Sequence, residues 1–416
     1  MAEMIELKEQ EERVILVAVS TGEDDDTAAS VDELEELAST AGAVTVGRVI
    51  QNRENVHPGT YLGKGKIEEV KELLWELDAT GIICDDELSP AQLKNLEDAL
   101  DTKVMDRTMV ILDIFASRAR TREGKIQVEL AQLRYRAVRL VGLRNSLSRL
   151  GGGIGTRGPG EKKLEVDRRL IHERISQLKS ELEDVKRHRE VVRKKRENGG
   201  ALTAAIVGYT NAGKSTLLNR LTQAGILAED KLFATLDPTT RMLKLPSGQN
   251  ILLTDTVGFI RKLPHNLIEA FKSTLEEAKY SDVILHVVDC SNPQMDMQMH
   301  VVYETLRQLE ITDKEIVTVF NKIDREGADT AGRDMAADYR VKISAKTGEG
   351  LPDLLGVLET ILRSRRIYFE KVFSYAEAGR IQRIRKNGRL LSEEYKEDGI
   401  HVTAYVPVEL FEELYW

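Results

Sequence analysis

This sequence of 416 residues has only two cysteines and no long apolar run. Cys84 and Cys290 lie in apolar, strand-like stretches, so we expect buried thiols and neither a disulfide framework nor a zinc site. No apolar stretch reaches the roughly 18 residues of a membrane span, and the charged N-terminal segment lacks the apolar core of a secretory signal. We therefore expect a cytoplasmic protein, with at most peripheral association with a membrane.

Positive charge is also in deficit: 60 Lys and Arg stand against 69 Asp and Glu, a net charge of −9. This balance at first argues against nucleic-acid binding. However, residues 118–196 hold 23 Lys and Arg against 10 Asp and Glu, which leaves a net charge of −22 on the remainder. The asymmetry predicts a basic segment that faces RNA, with an ordinary charged helix surface as the alternative.

The most informative motif is GYTNAGKS, from Gly208 to Ser215. It follows an apolar stretch, Leu202 to Val207, and precedes a helix-like one, Thr216 to Leu221. A strand, a glycine-rich loop and a helix in this order form the context of a phosphate-binding loop. Backbone N–H groups would hold the phosphates, Lys214 would reach the β and γ oxygens, and Ser215 would bind Mg²⁺. For this motif taken alone, a chance match is the alternative interpretation.

A second motif, NKID from Asn321 to Asp324, makes coincidence untenable. Asp324 can accept two hydrogen bonds from the N1–H and exocyclic amine of guanine, a donor pair that adenine lacks. Asn321 and Lys322 would support this loop and cover the base. Together with the phosphate-binding loop, the motif predicts a domain that binds GTP.

The motif SAK, from Ser344 to Lys346, follows a short strand-like stretch and resembles the last base-contacting loop of GTPases. In that loop the backbone N–H groups of Ala345 and Lys346 would meet the guanine O6. The three motifs stand in the order that a GTPase domain requires.

Metal and switch residues are predicted between these motifs. DTVG, from Asp255 to Gly258, ends an apolar strand, so that Asp255 would hold Mg²⁺ through a water and the Gly258 N–H would sense the γ-phosphate. Upstream, FATLDPTTR offers three hydroxyls that can join Mg²⁺ when the third phosphate is present: Thr235, Thr239 and Thr240.

FATLDPT resembles the HflX branch of the Obg-like GTPases, and this resemblance selects Thr235. Thr239 and Thr240 are then expected in a solvated turn. GGGIGTRGPGEKKLE (Gly151 to Glu165), PGTYLGKGK (Pro58 to Lys66) and the segment Asp106 to Leu133 resemble the same family. The resemblance implies a GTPase that binds the large ribosomal subunit and its rRNA, is stimulated by it, and splits or rescues stalled ribosomes under stress.

These motifs together predict one nucleotide site. The candidate catalytic residues are Lys214, Thr235 and Gly258, and the candidate Mg²⁺ ligands are Ser215 and Thr235 directly and Asp255 through a water. The predicted nucleotide-binding residues are Gly208, Tyr209, Thr210, Asn211, Ala212, Gly213, Lys214, Ser215, Phe233, Ala234, Thr235, Leu236, Asp237, Asp255, Thr256, Val257, Gly258, Asn321, Lys322, Ile323, Asp324, Ser344, Ala345 and Lys346.

One position departs from the signalling GTPases. Phe259 follows DTVG, where Ras-like proteins carry a Gln that orients the attacking water. We therefore expect slow intrinsic hydrolysis and a stimulating group from a partner or from K⁺, for which Asn211 is the candidate ligand. An Asn suited to loop backbone is the alternative for Asn211. Phe259 can also anchor the core, and Arg261 and Lys262 can donate charge in the site, although a solvated loop is the favoured interpretation for them.

The fold class predicted is α/β and multi-domain, with four parts. They are an N-terminal α/β domain with a parallel sheet (1–115), a basic helical hairpin with a Gly-rich tip (116–198), a Ras-like P-loop GTPase domain (199–366) and a small C-terminal α+β domain (367–416). In the hairpin, a coiled-coil seam on the second helix is expected to pack against the first, and the chain to be a monomer.

Two other functions remain open at this stage. GTYLGKGK, from Gly59 to Lys66, is rich in Gly and Lys before a helix, so an RNA-remodelling enzyme with a second, ATP-binding site is one alternative. The motif lacks Walker spacing, and a structural turn or an RNA contact is the simpler interpretation. The other alternative is a non-ribosomal GTPase switch whose coiled coil binds a protein effector.

Overall fold

The computed structural model describes residues 11–22, 26–150, 159–197, 202–222, 232–264, 267, 277–328 and 332–415. Residues 151–158 of the predicted glycine-rich tip lie outside these ranges. The chain forms two compact units. The first consists of Met1–Glu183, Glu229–Asp237 and Ile260–Lys272, and the second of Asp184–Ala228, Pro238–Phe259 and Ser273–Trp416.

A four-stranded parallel sheet organises the N-terminal part of the first unit, in the order β2-β1-β3-β4. Helices alternate with its strands, as predicted, and β1 is buried along most of its length because both sheet faces are covered. The elements are β1 (Arg13–Ser20), α1 (Thr27–Thr40), β2 (Val44–Asn52), α2 (Lys64–Glu76), β3 (Gly81–Cys84), α3 (Pro90–Leu100), β4 (Lys103–Asp106) and α4 (Arg107–Arg118).

Two long helices follow, α5 (Arg122–Leu150) and α6 (Pro159–Glu197). Arg122 forms an ion pair with Glu181 at 3.7 Å, and Arg174 forms one with Glu129 at 2.8 Å. Advancing along α5 therefore means going back along α6, so the helices are antiparallel, as predicted. Between them lies a core of apolar residues from the predicted seam and its partner helix: Ile126, Leu130, Leu133, Ala137, Ile171, Ile175, Leu178 and Leu182.

A six-stranded sheet forms the centre of the second unit, in the order β10-β9-β8-β5-β7-β6. Its strands are parallel except for β6, which runs antiparallel to β7 at the edge. The elements are β5 (Leu202–Gly208), α7 (Lys214–Thr222), β6 (Thr239–Lys244), β7 (Asn250–Asp255), β8 (Val283–Asp289), α8 (Met295–Gln308), β9 (Glu315–Asn321), β10 (Tyr339–Lys342) and α9 (Leu351–Ser364).

Two threonines lie elsewhere than expected. Thr239 and Thr240 begin β6 instead of forming a solvated turn after Pro238. Thr239 is paired with Asp255, and the Thr240 hydroxyl lies 2.9 Å from that of Thr254. The prediction failed because the antiparallel partner strand, which satisfies these residues, is not visible in the local pattern.

The second unit ends in a three-stranded antiparallel sheet, in the order β11-β13-β12, with helices against one face. Phe369, Phe373, Ile400 and Val402 are buried in its core. The elements are β11 (Arg366–Phe373), α10 (Ala378–Asn387), β12 (Arg389–Lys396), β13 (Gly399–Pro407) and α11 (Val408–Tyr415). The α+β prediction is confirmed, although β12 was not foreseen because its polar sequence RLLSEEYK does not alternate.

Candidate nucleotide site

The phosphate-binding loop lies between β5 and α7, at the carboxyl end of the parallel strands. No residue other than glycine fits at its two glycine positions. Gly208 has φ +154° and a Cβ there would lie 2.3 Å from the Val287 carbonyl oxygen, while Gly213 has φ +98° and a Cβ there would lie 2.3 Å from Asn321 Nδ2. At these two positions the backbone therefore approaches its neighbours too closely for any side chain.

Lys214, the first residue of α7, is buried, and its ammonium group donates to the carbonyl oxygens of Tyr209 at 2.8 Å and Gly208 at 3.2 Å. Burial lowers the pKa of Lys214 to about 8, although the charge of Asp255 opposes the change. The loop itself thus holds this cation in place before any phosphate arrives, and a bound phosphate would favour its charged form.

The two second-unit residues predicted at the metal are already adjacent. Ser215 Oγ donates to Asp255 Oδ2 at 2.7 Å, and Asp255 is fully buried at the end of β7. A hydroxyl and a carboxylate beside a phosphate loop are the hard oxygen donors that Mg²⁺ takes, so the residues present fit the ion. Thr235, the third predicted ligand, belongs to a segment of the first unit.

The base-recognition motifs are joined by one side chain, that of Asn321. Its Nδ2 donates to the Ala212 carbonyl oxygen at 2.8 Å, and its Oδ1 accepts from the Ala345 N–H at 2.9 Å. Asn321 is buried, so it ties together the phosphate loop, the NKID loop and the SAK loop. The Ala345 N–H, one of the two predicted to meet the guanine O6, is thus engaged within the protein in this arrangement.

Asp324 is exposed, so only a bound base would bury it. A hydrogen bond with the Ser344 side chain lowers the pKa of Asp324, and the carboxylate therefore stays charged as an acceptor. Lys322 has a positive φ of +66°, and its ammonium group lies 2.6 Å from Asp289 Oδ2. This ion pair fixes the side chain that is predicted to cover the base.

Phe259 is buried with 1% of its surface exposed, which confirms it as a core anchor. Its N–H donates to the Gly208 carbonyl oxygen at 3.1 Å, and its carbonyl oxygen accepts from the Thr210 N–H at 2.7 Å. The end of the DTVGF segment is therefore hydrogen-bonded to the phosphate loop. The side chain of Phe259 has no group that can orient a water.

The expectation of a solvated loop after Phe259 is wrong for Arg261, which is only 8% exposed. Lys262 is exposed, as expected, but its ammonium group is paired, 2.6 Å from Asp85 Oδ2. Both residues and their acidic partners belong to the first unit. Sequence reasoning missed these contacts because the partners precede the motif by well over a hundred residues.

Two other predictions are clarified by backbone geometry. Asn211 has φ +61°, a conformation that Asn tolerates better than most residues, which gives it a structural reason to be there. In the Gly59–Lys66 motif, the Thr60 N–H donates to His57 Nδ1 at 3.1 Å and the Gly63 N–H donates to Gln51 Oε1 at 2.9 Å. These amides are occupied within the protein, which favours the structural turn over a phosphate site.

Comparisons with known proteins agree with this geometry. Family models match three consecutive stretches: GTP-binding GTPase N-terminal at 28–116, GTP-binding GTPase middle region at 118–196, and 50S ribosome-binding GTPase at 203–322. GTPase HflX of Lacrimispora saccharolytica is 77% identical over 414 residues, covering 100% of this chain and 98% of that protein. The chain belongs to the HflX family of GTPases.

Other members of the family are also similar over most of their length. GTPase HflX of Caldanaerobacter subterraneus is 50% identical and covers 99% of this chain and 95% of its own, and that of Escherichia coli is 44% identical, with 83% and 82% covered. Among solved structures, a GTP-binding protein from Sulfolobus solfataricus in complex with GDP matches with TM-score 0.44 and 24% identity, over 84% of this chain and 98% of that one. As a member of the HflX family with a matching GTPase family model, the chain is a GTP-binding and GTP-hydrolysing enzyme. None of the helices in the described ranges combines the length and the apolar character that a membrane span requires.

Proposed function

We propose that this GTPase acts on the large ribosomal subunit, is stimulated by it, and splits or rescues stalled ribosomes under stress. The observation that carries the proposal is a contrast around the phosphate loop. Asn321, Lys214 and Ser215 are held there by hydrogen bonds, whereas the position after DTVG is a buried phenylalanine with no group that can orient a water. What Phe259 cannot supply must therefore come from a partner or from a bound K⁺, and we take the ribosomal subunit as its source.

The hydrolytic step is an in-line attack of water on the γ-phosphorus. Lys214 would leave the carbonyl oxygens of Gly208 and Tyr209 for the β and γ oxygens, while the loop amides stabilise the charge that develops there. When bound, Mg²⁺ would neutralise part of the phosphate charge. Ser215 and Thr235 would ligate it directly and Asp255 through a water, and the Gly258 N–H would sense the γ-phosphate.

The helical hairpin supplies a surface for the partner. In the segment 118–196 basic residues outnumber acidic ones 23 to 10. Some of the basic residues are engaged within the hairpin, such as Arg174 with Glu129 and Arg122 with Glu181. The net excess still favours a polyanion, and the 50S ribosome-binding description of the family model for 203–322 favours ribosomal RNA as that polyanion. We also propose that the protein acts as a monomer.

The proposal is tested by GTP hydrolysis with and without purified large ribosomal subunits, each in potassium and in sodium buffer. We expect strong stimulation by the subunits, of about a hundredfold or more if they complete the site as an activating protein does. Stimulation by potassium alone would indicate that a K⁺ ion held by Asn211 supplies the missing charge. An Asn211→Ala variant would then lose the potassium stimulation. A rate unchanged by the subunits would contradict the ribosomal role.

A further inference from the structure

One hydroxyl of the phosphate loop, that of Thr210, is buried and unpaired. The residue has 5% of its surface exposed. Its Oγ1 is shielded from solvent and has no hydrogen-bond partner among the described residues. A buried hydroxyl left unpaired is unfavourable, so such groups are rare in native structures and call for a reason such as a catalytic role.

Thr210 lies against the two residues proposed to contact the γ-phosphate. The position that a Cβ on Gly258 would take is 2.9 Å from Thr210 Cγ2 and 2.9 Å from Lys214 Nζ. The Thr210 side chain and the Lys214 ammonium group therefore approach the same face of Gly258, and all three residues belong to the second unit. A γ-phosphate held by Lys214 and by the Gly258 N–H would be a neighbour of Thr210.

The backbone of Thr210 is fixed at this place. Its N–H donates to the Phe259 carbonyl oxygen at 2.7 Å, and the Phe259 N–H donates to the Gly208 carbonyl oxygen at 3.1 Å. Tyr209 and Phe259 also form a parallel β-bridge. The side chain of Thr210 is thus held beside the segment in which Phe259 stands where a water-orienting residue is missing.

The other aliphatic hydroxyls of GYTNAGKS and DTVGF are already engaged. Ser215 Oγ donates to Asp255 Oδ2 at 2.7 Å, which suits its proposed place at the metal. Thr256 Oγ1 donates to the Ile206 carbonyl oxygen at 2.8 Å and is fully buried. Of these three hydroxyls, only that of Thr210 remains for the substrate.

We propose that Thr210 is a catalytic residue whose hydroxyl orients the attacking water, the task that Phe259 cannot perform. This inference rests on the proposed roles of Lys214 and Gly258 at the γ-phosphate, and not on the ribosomal role. When the γ-phosphate draws Gly258 toward itself, the residue that packs against Thr210 moves. The hydroxyl therefore becomes available only with GTP.

A hydroxyl suits this task because it both accepts and donates a hydrogen bond. Thr210 Oγ1 accepts from the attacking water and donates to a γ-phosphate oxygen. The water oxygen forms a bond to the γ-phosphorus, and the bond from this phosphorus to the β–γ bridging oxygen breaks. Its electron pair leaves with GDP, and the proton of the water passes to the released phosphate. Thr210 itself is unchanged by the step.

The test removes the hydroxyl and keeps the shape of the side chain. Thr210→Val does this, Thr210→Ser retains the hydroxyl, and Thr305→Val is the matched control. Thr305 is a buried threonine of α8 whose hydroxyl donates to the Val301 carbonyl oxygen at 2.8 Å. Single-turnover GTP hydrolysis is measured in Mg²⁺ without ribosomes, in potassium and in sodium buffer, together with the affinities for GDP and GTPγS.

We expect hydrolysis by Thr210→Val to fall about tenfold or more in both buffers, because the water loses its orientation. The affinity for GDP stays unchanged, and Thr210→Ser keeps most of the rate. The melting temperature separates this role from a structural one. Thr210→Val loses no hydrogen bond within the protein and should melt no lower than the unaltered protein. Thr305→Val should melt slightly lower and hydrolyse GTP at the original rate.

An unchanged rate in Thr210→Val overturns the proposal, as does an equal loss of affinity for both nucleotides. A rate that falls as far in Thr210→Ser as in Thr210→Val also contradicts it. A loss confined to potassium buffer would assign the hydroxyl to a bound cation instead of the water. Failure of ribosomal subunits to stimulate the unaltered protein removes the ribosomal role, but it leaves these expectations intact because they are measured without ribosomes.

Discussion

The frame proposed to recognise the nucleotide (208–215, 321–324 and 344–346) differs from the switch segments proposed to sense its third phosphate (233–237 and 259–262). The phosphate loop, NKID and SAK all lie in the second unit and are bonded to one another through Asn321. The segment that contains Thr235 and the segment that follows Phe259 belong instead to the first unit. There Asp237 is hydrogen-bonded to the Arg120 N–H, and Lys262 pairs with Asp85. The proposed recognition frame is therefore assembled by its own hydrogen bonds, whereas the proposed switch segments are held by contacts with the N-terminal part of the chain.

This difference has a physical reason. Discrimination between bases depends on leaving buried polar groups unpaired when the wrong base is bound, which works only if the groups are held in place. A switch has the opposite need, because it must have two arrangements of similar free energy. The buried hydrogen bonds of Asn321 suit the first role, and the ion pairs at the edge of the first unit suit the second.

The largest expected effect in the frame comes from Asp324→Asn. The carboxylate, which can accept two hydrogen bonds, is replaced by an amide whose oxygen can accept only one of them. The amide NH₂ then faces the other guanine donor. With about 1.5–3 kcal/mol for each hydrogen bond to a charged group, the GTP-over-ATP preference should fall by roughly 100-fold or more. Competition binding with both nucleotides measures it. Full retention of the preference would refute base reading by Asp324.

Asn321→Ala should weaken the binding of GDP and of GTP equally, because it loosens the frame and leaves the switch segments unaltered. Two buried partners, the Ala212 carbonyl and the Ala345 N–H, lose their hydrogen bonds. At about 1–2 kcal/mol each, the affinity falls roughly 30- to 1000-fold. Asn250→Ala, an exposed residue at the start of β7, is the control. A loss confined to GTP would show that the frame and the switches are not separate.

The metal ligands should divide along the same line. Ser215→Ala removes a hydroxyl of the frame and should weaken the Mg²⁺-dependent binding of both nucleotides. Thr235→Ala should weaken only the binding of GTP. For both variants we expect Mg²⁺-dependent turnover to fall about tenfold or more, since each removes a ligand of a charge-stabilising ion. Thr239→Ala, in β6, is the matched control. Turnover unchanged in Thr235→Ala but lost in Thr239→Ala would reassign the switch threonine.

The smallest effect is a pH dependence that originates in the frame. The pKa of Lys214 is about 8 in the nucleotide-free protein, and bound phosphates favour the charged form. GTP binding therefore takes up a proton near pH 8, and affinity falls as pH rises above 8, by at most about tenfold for each pH unit. Affinities between pH 7.5 and 8.8 measure it. Lys214→Arg, which stays charged, should show a flatter profile, and parallel profiles would contradict the assignment.

How far the sequence could predict this molecule follows the same division. GYTNAGKS, DTVG, NKID and SAK act through their own backbone and neighbouring side chains, so their chemistry is legible in a few consecutive residues. The alternation of strands and helices in the N-terminal domain was predictable for the same reason, because signals such as the buried run of β3 and the Ser89–Pro90 start of α3 are local.

What could not be predicted depends on partners that are distant in sequence. Thr239 and Thr240 are strand residues because β7 lies beside them, and Arg261 and Lys262 are fixed because Glu33, Asp85 and Asp86 lie against them. No local pattern distinguishes such residues from a solvated loop. The role of Asn321 as a bridge to Ala345 likewise requires two strands to be brought side by side.

Hydrogen exchange of the free protein, of its GDP complex and of its GTPγS complex tests the central claim most directly. Peptides that cover 208–215, 321–324 and 344–346 should become protected to a similar degree by either nucleotide. Peptides that cover 233–237, 259–262 and the start of α1 should change only with GTPγS. A response of these switch peptides to GDP, or none in α1 with GTPγS, would contradict the separation of frame and switch on which the account depends.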